Sequence, residues 1–344
     1  VDDFGKLHVG PQSAGASPGP AAYGNGGTEA TTTDANLWLG RINRDYFCGG
    51  VIDADLQAVE NALAGIAKNM EVSIDEAARG IVRIANNNMV NALKLVSLNR
   101  GFDPRDFTLV AFGGGGSMHA VALGQELGVK RVIVPRGASV FSAWGMMMSD
   151  LRRDYFITRL IELDQTGIPA IKSAFAEVEA EALEKFTAEG VTEGQISFSR
   201  FGKFRYQNQE HTTEVPLQGP VTDAALAQIA DDFHALYEKE YTYRLDAPVE
   251  MVGIHLVARA EIGKLEMQPQ PLGDADAKSA LKGQREVDYA LEGVHTADIY
   301  DGDKLAPGMT FAGPAIIEDS GTTIVIHPDN QVSVDAYRNI HIEI

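Results

Sequence analysis

The sequence predicts an α/β protein, and three observations carry that prediction. Residues 109–134 read as strand, glycine turn, helix and strand in succession. Upstream lies a helix-rich stretch with capping residues at its helix starts. Downstream, short apolar runs separated by turn dipeptides predict a β-rich C-terminal part.

The elements follow in order. Val1 to Val9 reads as a hairpin with its turn at Asp3–Gly5. A chain that opens inside a hairpin, with no Met and no signal peptide, reads as a split or processed polypeptide. Gly10 to Gly27 alternates Gly and Pro with Ala and Tyr, which predicts an ordered loop. Thr33 or Asp34 is placed to cap a short helix ended by Gly40. Asp53 is placed to cap a helix to about Lys68, with Leu56, Val59, Leu63 and Ile66 on one face. Ser73-Ile-Asp-Glu76 is a capping box that opens a long helix to about Leu98, and Gly101 punctuates its end.

The central unit is the most informative. Leu109–Phe112 forms a buried strand, Gly113, Gly114, Gly115 and Gly116 a turn without side chains, and Ser117 begins a helix to Leu127. With Arg131–Val134 this makes a βαβ unit whose strands run parallel. Glycines let the backbone approach a ligand closely, and the amides at a helix start favour an anion or a polar ring edge. The turn therefore suits a nucleotide, although it lacks the Lys-Ser/Thr of a P-loop and the spacing of a dinucleotide fingerprint. Tight packing is the alternative.

Ser139–Met148 reads as a helix apolar nearly all round, and so buried. A strand at 150–158, an acidic amphipathic helix at 168–188 and an alternating strand at 196–206 follow. His211–Val215 is a pairing partner for that strand, with a helix at 223–241 and a strand at 249–262 beyond it. Gly263–Gly283, rich in Pro, Gln and Asp, is the linker candidate, and residues 290–344 are short strands.

Composition narrows the function classes. Over 344 residues, 44% are hydrophobic and 22% charged, as in an ordinary globular protein. A formal net charge of −19 argues against nonspecific nucleic-acid binding, which needs basic patches, and against an anionic membrane surface. No apolar run has membrane-spanning length. Cys48 is the single cysteine, so no intrachain disulfide forms; it reads as a small apolar group in a reducing compartment, the cytoplasm.

Five further side chains are candidates for a site or an interface. His119 sits in the first turn after the glycines and either packs under the loop or meets a nucleotide or partner subunit. His211, in a polar cluster from Tyr206 to Thr213, is either a hairpin tip or a recognition loop. Of Asp34 and Asn36, capping accounts for one. Arg136 follows a parallel strand, where ligands collect in open sheets, and could meet a phosphate. The histidines show no metal-ligand spacing, so no metal site is expected. Gly15-Ala-Ser-Pro-Gly19 matches a nucleophile elbow as a string, but Ser17 lacks the strand before it and the helix after it.

Val9–Gly24, Gly26–Glu29, Thr33–Arg41, Arg100–Phe107, the glycine turn with His119, Phe141–Gly145, and Gly313–Glu318 with Thr322-Thr323 together resemble the hydantoinase A / 5-oxoprolinase family. The resemblance covers essentially the whole chain. It implies an actin-like, sugar-kinase-like ATPase fold, of which 1–158 would be the second half. An α+β domain at 159–265 and a small β-rich module at 266–344 would follow. It implies an A-type subunit of an ATP-dependent amidohydrolase (hydantoinase, oxoprolinase or lactamase) that activates a small-molecule carbonyl by phosphorylation with ATP and Mg²⁺. A ketone carboxylase subunit of the acetone or acetophenone type is the alternative, and a non-catalytic assembly subunit is a third reading. The family's Asp-x-Gly-Gly-Thr phosphate loops do not occur here, and its usual Ala and Pro in the turn are Gly115 and Ser117. By resemblance, this chain supplies the adenosine-side turn and the helix at 142–148. Phosphate and Mg²⁺ ligands are expected in a missing N-terminal portion of the A subunit, and the rest of the chemistry in a B-type partner subunit.

Overall fold

The computed structural model describes residues 1–2 and 4–344, with the side chain of Cys48 excepted. The expected turn at Asp3 and the packing of Cys48 thus lie outside the described residues. The chain divides into two units, Val1–Met146 with Glu266–Ile344, and Met147–Leu265.

The first unit begins with a helical layer. Helix α1, Thr32–Trp38, is capped by Thr31, upstream of the expected Thr33 or Asp34. Asp34 instead completes the capping box from the third helical position. Helix α2, Leu56–Met70, is capped by Asp55 rather than Asp53, because the Asp55 side chain accepts from Ala58 N. Helix α3, Ile74–Val96, opens on the expected Ser73–Glu76 box. Their apolar faces meet in one core with Leu37, Val59, Leu63 and Ile81 buried.

Strand β1 is only Leu109–Val110, two residues short of expectation. Ala111 N still bonds Ile133 O at 2.9 Å, but Gly113 N turns away to Ala138 O at 2.7 Å, and the ladder ends there. Helix α4, Gly116–Leu127, and strand β2, Arg131–Val134, complete the expected unit, with β1 and β2 parallel. Helix α5, Phe141–Met147, corrects an expectation: none of its residues is buried, and Met146 is 78% exposed. Its aromatic residues cover one another instead, Phe141 stacking on Trp144 at 5.1 Å and meeting Phe112 at 5.3 Å.

The second unit is one antiparallel sheet and two helices. In chain order these are β3 (Leu151–Glu162), α6 (Ile168–Ala188), β4 (Ile196–Tyr206), β5 (Thr213–Leu217), α7 (Asp223–Tyr241) and β6 (Val249–Ala260). The strand order is β3-β6-β4-β5. Both helices share one core with the sheet, where Phe186, Phe204, Phe233, Tyr237 and Leu256 are fully buried.

The remaining strands return to the first unit. They are β7 (Leu281–Asp288), β8 (Val294–Asp301), β9 (Thr310–Ala312), β10 (Ala315–Asp319), β11 (Thr322–Ile326), β12 (Gln331–Val334) and β13 (Ile340–Glu343). One sheet runs β1-β2-β13-β12-β9 and the other β11-β10-β8-β7. Val132, Ile342 and Val332 of the first share a core with Ile317, Ile324 and Ile326 of the second. Ile316 and Val325 on the other face pack with Met118 of α4. The second sheet is thus buried on both sides, which is why Ala315-Ile-Ile reads as a continuous apolar run.

This topology departs from the expected three-part division. Residues 266–344 share a unit with residues 1–146, because β13 pairs antiparallel with β2 (Ile342 opposite Val132) and closes the sheet. The expected linker Gly263–Gly283 is likewise anchored: Gln270 N donates to Ala336 O, Thr310 N donates to Ala275 O, and β7 starts at Leu281.

Candidate functional site

The glycine turn is held by backbone and side-chain bonds from distant segments. Gly113 takes φ +91°, a conformation that strains any side chain, and its N–H is fixed on Ala138 O. The Gly114 carbonyl accepts from Thr322 Oγ1 at 3.0 Å. Gly115 caps α4 with no side-chain bond, so no capping side chain takes up the first amides of this helix. A Cβ placed on Gly113, Gly115 or Gly116 would meet no protein atom within 4 Å, so one face of the turn is open. On the other side, a Cβ on Gly321 would overlap Ser139, which shows how closely the β10–β11 turn approaches the segment after β2.

A cavity of ≈ 330 Å³ lies next to the segments that hold this turn, and its walls include Arg136, Ala138, Ser139, Asp319, Ser320 and Thr322. Ala138 and Thr322 both line the cavity and bond the turn, so the two share these residues, although none of the four glycines is itself a wall of the cavity. Arg136 is exposed, with its backbone N–H on Asn339 Oδ1. Its guanidinium makes no bond among the described residues, which leaves it available to an anion. Across the cavity, Arg338 is consumed by the carbonyls of Leu305, Gly302 and Asp303.

The other candidates fall elsewhere. Ser117 is fully buried and its Oγ has no partner among the described residues. His119 points away from the cavity to Asn86 Oδ1 at 2.6 Å; burial, with the Arg41 charge, pushes its pKa down to about 4 and keeps it neutral. Asp34 is a brace: it accepts from Ala21 N, Ala22 N, and the N–H and hydroxyl of Thr31. Asn36 donates to Thr32 O while its Oδ1, buried, is unpartnered. His211 lies in the second unit, exposed between β4 and β5 and stacked on Tyr241. Ser17 sits in a loop with neither strand nor helix beside it. Within the first unit, Gly113–Gly116 and Arg136 are linked through Ala138 and Thr322, which bond the turn and line the cavity with Arg136, whereas Asp34, Asn36 and His119 do not line that cavity, and His211 belongs to the second unit.

Sequence reasoning missed the partners that complete the cavity, Ser139, Asp319 and Ser320, and gave Thr322 no role. They stand up to some 200 residues from the turn, and only the Thr322-Thr323 pair carried any signal. Among the described residues, no group of three or more His, Cys, Asp or Glu is placed to hold a metal ion. No helix is long and apolar enough to cross a membrane.

The chain is similar to known proteins along its whole length. Residues 1–155 match the family described as Hydantoinase/oxoprolinase, and residues 163–344 match the Hydantoinase/oxoprolinase C-terminal domain. An uncharacterized protein of Methanocaldococcus jannaschii is 36% identical over 100% of this chain and 49% of its own length. The caprolactamase subunit alpha of Pseudomonas jessenii is 34% identical over 97% of this chain and 49% of its own length. A nucleotide-free structure of acetone carboxylase, which carries out ATP-dependent acetone carboxylation, superposes with a TM-score of 0.85 at 26% identity. That match covers 100% of this chain and 50% of the other. The chain therefore spans about half the length of the curated relatives it matches. With both of its parts matched and an α/β fold shared with these structures, the chain belongs to the hydantoinase/oxoprolinase family.

Proposed function

We propose that this chain is the nucleoside-binding half of an ATP-dependent enzyme subunit that activates the carbonyl of a cyclic amide for ring opening. The observation that carries the reading is the glycine turn with one open face beside a cavity, in a chain whose relatives include an ATP-dependent carboxylase and a caprolactamase subunit. Bound ATP supplies the phosphoryl group that turns an unreactive carbonyl oxygen into a leaving group.

The residues present fit the nucleoside end of that ligand. Gly113, Gly115 and Gly116 leave room for a ring or ribose against the backbone, and Thr322 fixes the turn in place. Arg136 stands at the rim with an unpaired charge. Among the described residues no group of three or more His, Cys, Asp or Glu is placed to hold a metal ion, and Mg²⁺ beside bound phosphates needs only one or two carboxylates. By its resemblance to the family, metal and phosphate ligands are assigned to the part of the A-type subunit outside this chain, and the remaining chemistry to a B-type partner in the cytoplasm.

The test is titration of the full-length protein with a fluorescent ATP analogue. Gly114→Val puts a branched side chain where the Cβ already sits 3.7 Å from Gly321 O, and analogue affinity should fall about tenfold or more, on the order of 1.4 kcal/mol. Unchanged affinity sinks the assignment of the turn. The close superposition on acetone carboxylase favours a second reading, ATP-dependent carboxylation of a ketone. Product analysis separates the two: ATP-dependent hydrolysis of caprolactam, oxoproline or hydantoin against bicarbonate fixed into a ketone.

A further inference from the structure

A second cavity in the first unit, of ≈ 580 Å³, shares no wall with the cavity beside the glycine turn. It opens between α3, α4 and the turn after β7, and Arg41 forms its buried wall. Arg41 is 3% exposed. Its Nε donates to Asp288 O at 2.9 Å, and that is the one hydrogen bond its side chain makes among the described residues. Nη1 and Nη2 therefore have no protein acceptor.

The nearby carboxylates are already engaged. Asp288 receives Arg79 through two contacts of 2.8 and 2.7 Å and the Ala290 N–H at 2.7 Å. Glu292 accepts from Gln125 and pairs with His327 Nδ1 at 2.8 Å. Glu126 is exposed at the rim. Arg83, another residue of the lining, is exposed with no partner among the described residues. The Arg41 Nη atoms are not among the fully buried unpartnered side-chain atoms, so the fork keeps access to the cavity that Arg41 lines. Such a fork presents two parallel donors that two coplanar oxygens can accept together.

The geometry points to a ligand site here for the carboxylate of a small organic acid, with Arg41 as the bidentate anchor and Arg83 as the entrance charge. Val82, Val90, Ala122 and Leu291 supply apolar wall for an aliphatic body, which favours an organic carboxylate over inorganic phosphate. Asn86, whose Oδ1 is occupied by His119, keeps its Nδ2 for the same oxygens. The inference stands independently of the nucleotide reading.

The test uses the full-length protein with sodium butyrate as probe, and n-butanol, phosphate and sodium chloride of equal ionic strength as controls. Butyrate should raise the melting temperature and bind measurably by calorimetry, whereas butanol and chloride should not. Arg41→Met should fold, since an apolar side chain of similar length fills the same wall at the cost of one hydrogen bond to Asp288 O, and should bind butyrate at least about tenfold more weakly. Arg83→Gln, at the surface, should weaken it about two- to fivefold and serves if Arg41→Met fails to fold. Butyrate acting no better than chloride, phosphate acting alone, or undiminished butyrate binding in both variants overturns the proposal.

Discussion

Replacing Asp34 by alanine removes the acceptor of four hydrogen bonds at once. Two of the donors, the N–H groups of Ala21 and Ala22, belong to residues with no solvent exposure, so water cannot take the place of the carboxylate. Each buried donor left unsatisfied costs about 1–3 kcal/mol, so Asp34→Ala should lose roughly 3–5 kcal/mol. That is a large part of the ~5–15 kcal/mol that holds a typical domain. Asp34→Asn keeps one acceptor oxygen and should lose about half as much. Trp38, on the same helix, reports the local transition in guanidinium if Trp144 is first replaced by phenylalanine. A loss below about 1 kcal/mol together with lost activity would refute the argument. Asp34 would then face a ligand or partner rather than brace the Ala21–Tyr23 turn.

Two other outcomes follow from the same structure. Thr322→Val deletes the hydroxyl that holds the Gly114 carbonyl; stability should fall by about 1 kcal/mol, and ATP-analogue affinity should fall with it, read by the same titration as Gly114→Val. His119 has its pKa lowered from 6.5 to about 4 by burial. The unfolded chain therefore binds a proton that the folded chain refuses between those values, and stability falls as pH drops from about 6.5 to about 4. The full effect is on the order of 3 kcal/mol, and His119→Gln should flatten the acid limb of a pH series of denaturation midpoints. An acid limb of unchanged slope would count against a buried, neutral His119.

How much was legible follows the range of the interactions. The Ser73–Glu76 capping box, helices α6 and α7, and strands β2 and β4 lie where local pattern puts them. Their starts, stops and apolar periods are written within a few residues. Helix α5 shows the limit of that reasoning: an all-round apolar pattern predicts burial, yet its rings stack on each other at the surface. Periodicity tells that a face is apolar and not what covers it.

The sequence by itself determined that the chain is α/β, that a side-chain-free turn precedes a helix, and that the family is hydantoinase/oxoprolinase. Each of these is carried by contiguous residues. Tertiary structure alone decided that β13 closes onto β2, that Thr322 and Ala138 hold the glycine turn beside a cavity, and that Arg41 is buried with its fork unpaired. These depend on pairings between residues some 25 to 250 positions apart, and such pairings are fixed by the packing of whole sheets rather than by any local run of residues.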